Sequence, residues 1–460
     1  MTEPQLVVGG TVAALATADA LAAAGRPVRL LLPRRGVGGG FLPLERDGRR
    51  LELGMRVLEL HYEGTGTPPP LAEYRADDEG HRPFVALVDG WVRDLVGADA
   101  VVPVDPPASW LGGRLGPEVL LSSDLSRAAG LVAPDDARRI AGQAADAARE
   151  HGDAGWLAAG ESGRLAEAGF DEASLHQHGA RFHELFLAPF TGKIRPGGGA
   201  DVLASLRRKL WVPLFWPRTV AEAFSGQPVG FVPERPLTVV RPGGMGPVLR
   251  ALLDRLRARQ VTVETYDRLT AVAPGGPAVR LGFADGREET AARPVLGLSA
   301  AELFAAAGVE YAPDRLHSVL AWVGVREDDL AELPGFVHVL DPGVPAYRVT
   351  PGERGDDGVR VVCVELAHDV PQEQAAATAV AVLETTGLLR EGAGGTDLGV
   401  FSGPTFTDPT AANVARHAAA LAAWQDLGVD AAVVGGAGSF GADSFNEQVL
   451  QGLSTAERLA

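Results

Sequence analysis

Near the start of the chain Gly9, Gly10, Thr11 and Ala14 lie between a strand-like run, Gln5–Val8, and an alanine- and leucine-rich segment, Val12–Ala24, which Gly25 closes as a helix would be closed. A second strand-like run, Val28–Leu32, stops at Pro33. A glycine turn leading from a strand into a helix presents backbone N–H groups to an anion, and is the usual cradle for the pyrophosphate of a dinucleotide. Arg34 and Arg35 follow the second strand, where an arginine can meet a 2′-phosphate. Two solvated loop arginines are the plainer reading of that pair.

Other reactive residue types are few. The single cysteine, Cys363, sits in the apolar run Val361–Val364 and reads as a small core residue; alone it makes neither a disulfide nor a thiolate metal cage. His176, His178 and His183 fall at spacings that put them on different sides of one helix, so we expect solvated histidines and no metal site. The aromatic run Trp211–Pro217 is expected to pack in the core or form a lid rather than line a substrate cavity.

These residues are positioned by an alternating α/β pattern. Between about 70 and 235 the texture is helical, with expected helices at Ala137–His151, Ser174–Ala188 and Ala200–Leu210. From Arg241 to Gly246 the glycine-turn texture returns, leading into a helix, Pro247–Arg259, and a strand, Val261–Thr265. Strands are expected at Ser318–Val325, Phe336–Leu340 and Gly358–Glu365, and helices at Gln372–Leu389 and Thr410–Leu427. The end repeats the beginning: strand Ala431–Val434, Gly435 and Gly436, then helix Phe445–Arg458. The pattern predicts an α/β protein with a discontinuous Rossmann-like nucleotide-binding domain and a second unit inserted into it. The first would be assembled from 1–70, 236–305 and 400–460, the second from 71–235 and 306–399.

Composition narrows the partners. The chain of 460 residues carries 42 Lys plus Arg against 59 Asp plus Glu, a net charge of −17. Nucleic acid and anionic lipid both require clustered positive charge, so neither is expected as a partner. No run reaches the ~18 apolar residues of a membrane helix, and the N-terminus lacks a basic leader region. We therefore expect a cytoplasmic protein acting on a small molecule. Only two of the 42 basic residues are lysines, Lys193 and Lys209, so arginine is written almost everywhere else.

Seven stations in order along the chain carry a resemblance. They are Val7–Ala14, Arg35–Gly40, Leu51–Met55, Phe186–Lys193, Arg241–Gly246, Asp341–Arg348, and Val434–Gly441 running into Phe445–Val449. Together they resemble the flavoprotein superfamily of amine oxidases, phytoene desaturases and protoporphyrinogen oxidases, and within it the branch of UDP-galactopyranose mutase-like proteins. The resemblance implies FAD as cofactor, the first unit being a Rossmann-like FAD/NAD(P)-binding domain and the second an inserted α+β substrate domain made of a mixed sheet and a helical insertion. The cofactor-binding positions would be Gly9, Gly10, Thr11, Ala14, Arg34, Gly38, Gly39, Gly54, Gly243, Gly244, Gly435, Gly436, Glu447 and Gln448, and Lys193, Tyr347 and Arg348 would bind substrate. Arg348 could clamp an anionic substrate group bidentately, or pair structurally with Glu365 or Asp341. No catalytic residue is assigned.

The chain also departs from the family pattern. Thr11 replaces the glycine that lets backbone approach the pyrophosphate, and Leu32 with Pro33 replaces the acid that binds the adenosine ribose. Gly40 stands for a phosphate-side arginine, and Gly436 for a charged residue near the flavin. Amine oxidases commonly hold a water at the flavin with a lysine from the substrate sheet, yet residues 315–400 contain no lysine. The expectation is thus an FAD-type oxidoreductase of dehydrogenase, desaturase or mutase-like kind rather than an amine oxidase. The alternative is a flavin-less member serving as a non-redox enzyme or a binding or partner subunit.

Overall fold

The computed structural model describes residues 3–60, 71, 74, 84–121, 125–159, 163–230, 237–241 and 243–460. Gln5–Val8 and Val28–Pro33 pair in parallel around the helix Val12–Ala23, forming the expected βαβ unit. They are the centre of a five-stranded parallel sheet, ordered Thr262–Tyr266, Val28–Pro33, Gln5–Val8, Val295–Leu296, Ala432–Val433. Such sheets bury both faces, which explains strands that read as continuous apolar runs. Val7, Leu30 and Leu32 face one core with the helices Val12–Ala23, Gly246–Ala258 and Phe445–Leu459. Leu6, Val8 and Leu31 face the other, covered by the strands of 269–291 and the helices Ala300–Ala306 and Ala411–Asp426. The first helix is alanine-rich because the last helix lies directly on it: a Cβ on Gly452 would stand 2.6 Å from Ala13 O.

The second sheet has seven strands, ordered Thr396–Thr407, Arg315–Arg326, Val359–Leu366, Ala346–Arg354, Val337–Val339, Ala108–Leu111, Arg114–Pro117. It is mixed, since Val337–Val339 runs parallel to Ala108–Leu111 while its other neighbours are antiparallel. Val319, Ala321, Val323, Val337, Val339, Val362 and Val364 form an apolar face under the helix Ala375–Thr385. The opposite face meets residues 51–53: Leu51 packs with Leu320, Trp322, Val361 and Cys363, and the Trp322 indole donates to Glu52 O at 2.8 Å. Strand Thr396–Thr407 runs unbroken across residue 400, and residues 70, 235 and 236 lie outside the described set. The division into segments given above remains a proposal. No helix among the described residues is long and apolar enough to cross a membrane.

The helical insertion corrects three expectations. The helix expected over Ser174–Ala188 is Phe170–His178, broken at Gly179, followed by a wide π turn at His183–Leu187 and then Ala188–Ile194. Pro189, lacking an N–H, cannot continue a regular ladder there. The helix expected over Ala200–Leu210 is a 3-10 segment, Ala204–Leu210, because Val202 and Leu203 are spent on bridges to Thr410 and Gly169. Finally, His178 and His183 are buried rather than solvated, joined through Ser174 Oγ at 3.3 and 3.0 Å, while Phe215 N–H donates to His178 Nε2 at 2.8 Å. Burial, with the neighbouring His183, drives His178 down to about 3, so it stays neutral. Only His176 is exposed, stacked on Trp156. No metal-binding cluster occurs among the described residues.

Candidate functional site

The glycine cradle forms where expected. Gly9 must be glycine: its φ is +123°, and a Cβ would sit 2.0 Å from Gly297 O. Thr11 is the N-cap of the first helix, and its Oγ1 accepts the Ala14 N–H at 3.2 Å. Ala13 N–H donates to Gln448 Oε1 at 3.3 Å, and Gln448 Nε2 donates to Asp443 O at 3.0 Å. Two of the amides that would face a pyrophosphate are thus satisfied by the chain itself. The surrounding loop closes in as well. Gly38 N–H donates to Gly10 O at 2.6 Å, and Pro33 ring atoms lie 3.1 Å from where a Gly10 Cβ would be. Gly435 lies against Thr11, its N–H donating to Gln451 Oε1 at 2.6 Å. A dinucleotide pyrophosphate does not fit this cradle as built without breaking these contacts.

The other predicted cofactor positions scatter over several contacts. Gly436 O accepts from His417 Nε2 at 3.1 Å, and Glu447 closes a capping box with Ser444 while pairing with Lys209 at 3.1 Å. Arg34 lies at the surface, 3.1 Å from Asp267. Gly38 packs on Leu249, and Gly39 opens the short 3-10 turn Gly39–Phe41. Gly244 packs directly on Glu52, Gly243 stands beside Glu353, and Gly54 approaches the Glu365 carboxylate so closely that a Cβ would lie 2.8 Å from Oε1. Gly54 and Gly244 therefore belong to a second cluster, on the face of the seven-stranded sheet opposite the apolar one.

That face carries a polar row set by strand register. Ser109 stands opposite His338, His338 opposite Arg348, and Arg348 opposite Glu365. All four are buried. Arg348 grips Glu365 bidentately at 2.5 and 2.8 Å, and Tyr347, turned to the same carboxylate by an irregularity in the strand, donates to it at 3.2 Å. Burial pushes Glu365 up, but the Arg348 charge and hydrogen bonds outweigh it and hold the carboxyl below its usual range. Burial lifts Tyr347 far above the ordinary tyrosine range. His338 Nδ1 meets Glu118 Oε1 at 2.8 Å, and Glu118 also accepts the Leu121 N–H at 2.9 Å. Burial would raise Glu118, yet His338 and these amides hold it down. An ionised Glu118 assigns the proton to Nδ1, and burial keeps His338 neutral, leaving Nε2 a lone-pair acceptor.

Three atoms of the row, Ser109 Oγ, His338 Nε2 and Arg348 Nη1, are buried without a hydrogen-bond partner among the described residues. Phe190 and Phe336 flank the imidazole at 5.2 and 5.1 Å, and Trp211, held at φ +61°, lies 5.8 Å from the Arg348 guanidinium. Glu52 and Arg56, an ion pair at 3.5 Å, lie near enough for the Arg56 charge to act on Glu365. Chemically, the row offers an acceptor nitrogen beside a guanidinium donor: a base held by a carboxylate and a group that polarises a carbonyl. Lys193 stands apart from it. Its ammonium donates to Val339 O, Asp341 O and Ala346 O at 2.8, 2.7 and 2.9 Å, leaving no hydrogen for a substrate. Burial pulls it down to about 7, but three acceptors require three hydrogens, so this geometry favours the ammonium. Cys363 is buried on the row's face and its thiol is pushed well up by burial, consistent with a core role.

The sequence reading missed Ser109, Glu118, His338, Glu52 and Arg56. Their only sequence signal was a histidine inside the apolar strand Phe336–Leu340, which an apolar core does not call for.

Neither a family model nor a curated protein matches the chain. Solved structures do. Reduced UDP-galactopyranose mutase is similar at 13% identity with a TM-score of 0.73, covering 100% of this chain and 95% of that one. A putative protoporphyrinogen oxidase from Exiguobacterium is similar at 14% and 0.62, covering 100% and 99%. Putrescine oxidase bound to putrescine is similar at 16% and 0.58, covering 100% and 99%. At such identities the likeness is one of fold. The chain shares the fold of these three structures, a likeness that the seven sequence stations anticipate.

Proposed function

We propose that the chain uses this flavoenzyme scaffold without holding FAD in the glycine cradle, and works as a non-redox small-molecule-binding protein or enzyme. The observation that carries this reading is the occupation of the Ala14 and Ala13 amides by Thr11 and Gln448. A pyrophosphate must displace both hydrogen bonds, each worth about 0.5–1.5 kcal/mol. It also meets no ribose acceptor at Leu32 or Pro33, at a further cost of about 1–3 kcal/mol if hydroxyls stay unpaired. Such sums are not additive, but even half of the total, about 1–3 kcal/mol, weakens binding about 5- to 150-fold. The ligand would sit on the polar row, offering a donor to His338 Nε2 and an acceptor to Arg348 Nη1. Its site is in the protein interior, consistent with a small molecule and a cytoplasmic setting.

A second reading is favoured by Gly9, Ala14 and the fold likeness: an FAD-dependent dehydrogenase, desaturase or mutase-like enzyme. The absorption spectrum separates the two. The purified protein is expected to be colourless and to show no saturable FAD binding in the low micromolar range. The combined variant Thr11→Gly, Leu32→Glu, Gln448→Ala is expected to gain it. A yellow wild-type protein with stoichiometric FAD sinks the proposal in favour of the second reading.

A further inference from the structure

A cavity of about 190 Å³ lies beside the last parallel strand, walled by the last helix, Tyr74 and the segment Val433–Ser439, and adjoins the glycine cradle through Gln451. It is comparable in size to a void that holds a benzene-sized molecule. Its polar wall is made by Ser439, Gln451, Ser454, Thr455 and Arg458, and no carboxylate lines it. Arg458 donates to Ser454 Oγ at 2.7 Å and to Thr455 Oγ1 at 3.0 Å. Both hydroxyl groups are at least nine-tenths buried and serve as acceptors in these bonds. Their own hydrogens, unlike those of Thr17 and Thr386 on other helices, find no carbonyl acceptor among the described residues. Gln451 accepts from Gly435 N–H at 2.6 Å and gives one of its two amide hydrogens to Ala442 O at 3.4 Å.

The remaining side-chain groups can all donate: the hydroxyls of Ser439, Ser454 and Thr455, the second Gln451 amide hydrogen and the rest of the Arg458 guanidinium. In a chain with 59 acidic residues, Arg458 makes no ion pair among the described residues. A donor-rich cavity with an exposed arginine beside its buried hydroxyls favours an oxyanion, because an acceptor-only group can satisfy several donors at once. We propose that this cavity is a binding site for a small phosphoryl compound. A tetrahedral phosphoryl group spreads acceptors over several directions and matches hydroxyls and a guanidinium arriving from different walls, and the volume leaves room for a few further atoms. Gln451 joins the cavity wall to Gly435, which lies against Thr11, so occupancy also bears on the order of the glycine segment.

Isothermal titration calorimetry on the full chain at constant ionic strength tests the site, using inorganic phosphate, glycerol 2-phosphate and acetate as probes. Saturable binding is expected for the phosphate monoester, weaker binding for inorganic phosphate, and the weakest for acetate. Tighter binding of inorganic phosphate than of the monoester would identify the free ion as the ligand and still support a phosphoryl site. Arg458→Gln should lower the affinity at least tenfold, and Thr455→Val, which keeps shape while removing the hydroxyl, should lower it severalfold with the same circular dichroism as wild type. Absence of saturable binding overturns the proposal. So does acetate binding as tightly as either phosphate, or unchanged affinity in a folded Arg458→Gln or Thr455→Val protein.

Discussion

The glycine cradle and the polar row of the seven-stranded sheet differ in how their polar groups are satisfied. In the cradle, amides that could have met a ligand are capped by Thr11 and Gln448. In the row, Ser109, His338 and Arg348 keep buried atoms with no partner among the described residues, although burying such atoms unpaired costs about 1–3 kcal/mol each. A sequence motif identifies where a fold family places its ligand. Unspent hydrogen-bonding capacity identifies where this chain still has room for one. Here the two point to different places.

That contrast can be broken by measurement, and the largest effect is expected in the row. Arg348→Met strands the buried Glu365 carboxylate and should lower unfolding stability by about 3–5 kcal/mol, measured by chemical denaturation. The double variant Arg348→Met, Glu365→Leu should lose much less. Equal losses in the single and double variants would show that the pair is not buried as described.

A medium effect is expected from pH. His178 has a folded pKa far below its unfolded value, so the unfolded chain takes up the proton first as pH falls. The stability it supports is complete above about pH 6.5 and declines below it, at no more than about 1.4 kcal/mol per pH unit down to about pH 3. His178→Gln should flatten that decline in urea denaturation between pH 6 and 4. An unchanged slope would remove His178 as its source.

The smallest effect belongs to the cradle. Thr11→Gly should cost only a few tenths of a kcal/mol, because glycine is also a tolerated N-cap. A loss of several kcal/mol in the same denaturation experiment would make Thr11 a structural keystone and erase the contrast between the two regions.

The sequence alone determined the parts governed by local pattern. The apolar runs at Gln5–Val8 and Val28–Leu32, the intervening helix and the closing strand–glycine–helix unit formed close to their expected limits, because strand burial and helix capping act over a few residues. The order of the seven stations likewise carried the fold. Departures at Thr11, Leu32, Pro33 and Gly40 were legible as substitutions, but what Thr11 and Gln448 do about them was not. One hydrogen bond spans positions 11 to 14, whereas the other joins residues 435 positions apart.

Only the tertiary structure decided the row. His338 reaches Glu118 across 220 positions, and Ser109 reaches its register beside His338 through a parallel pairing that no local pattern encodes. Two of the three histidines expected in solvent, His178 and His183, are buried for the same kind of reason: helix periodicity says which residues share a side, but the neighbours that cover it come from elsewhere in the chain. Burial, partner choice and the atoms left unpaired are properties of contacts between distant segments. The residues of the candidate site could be counted in the sequence, but their roles came from the fold that brings them together.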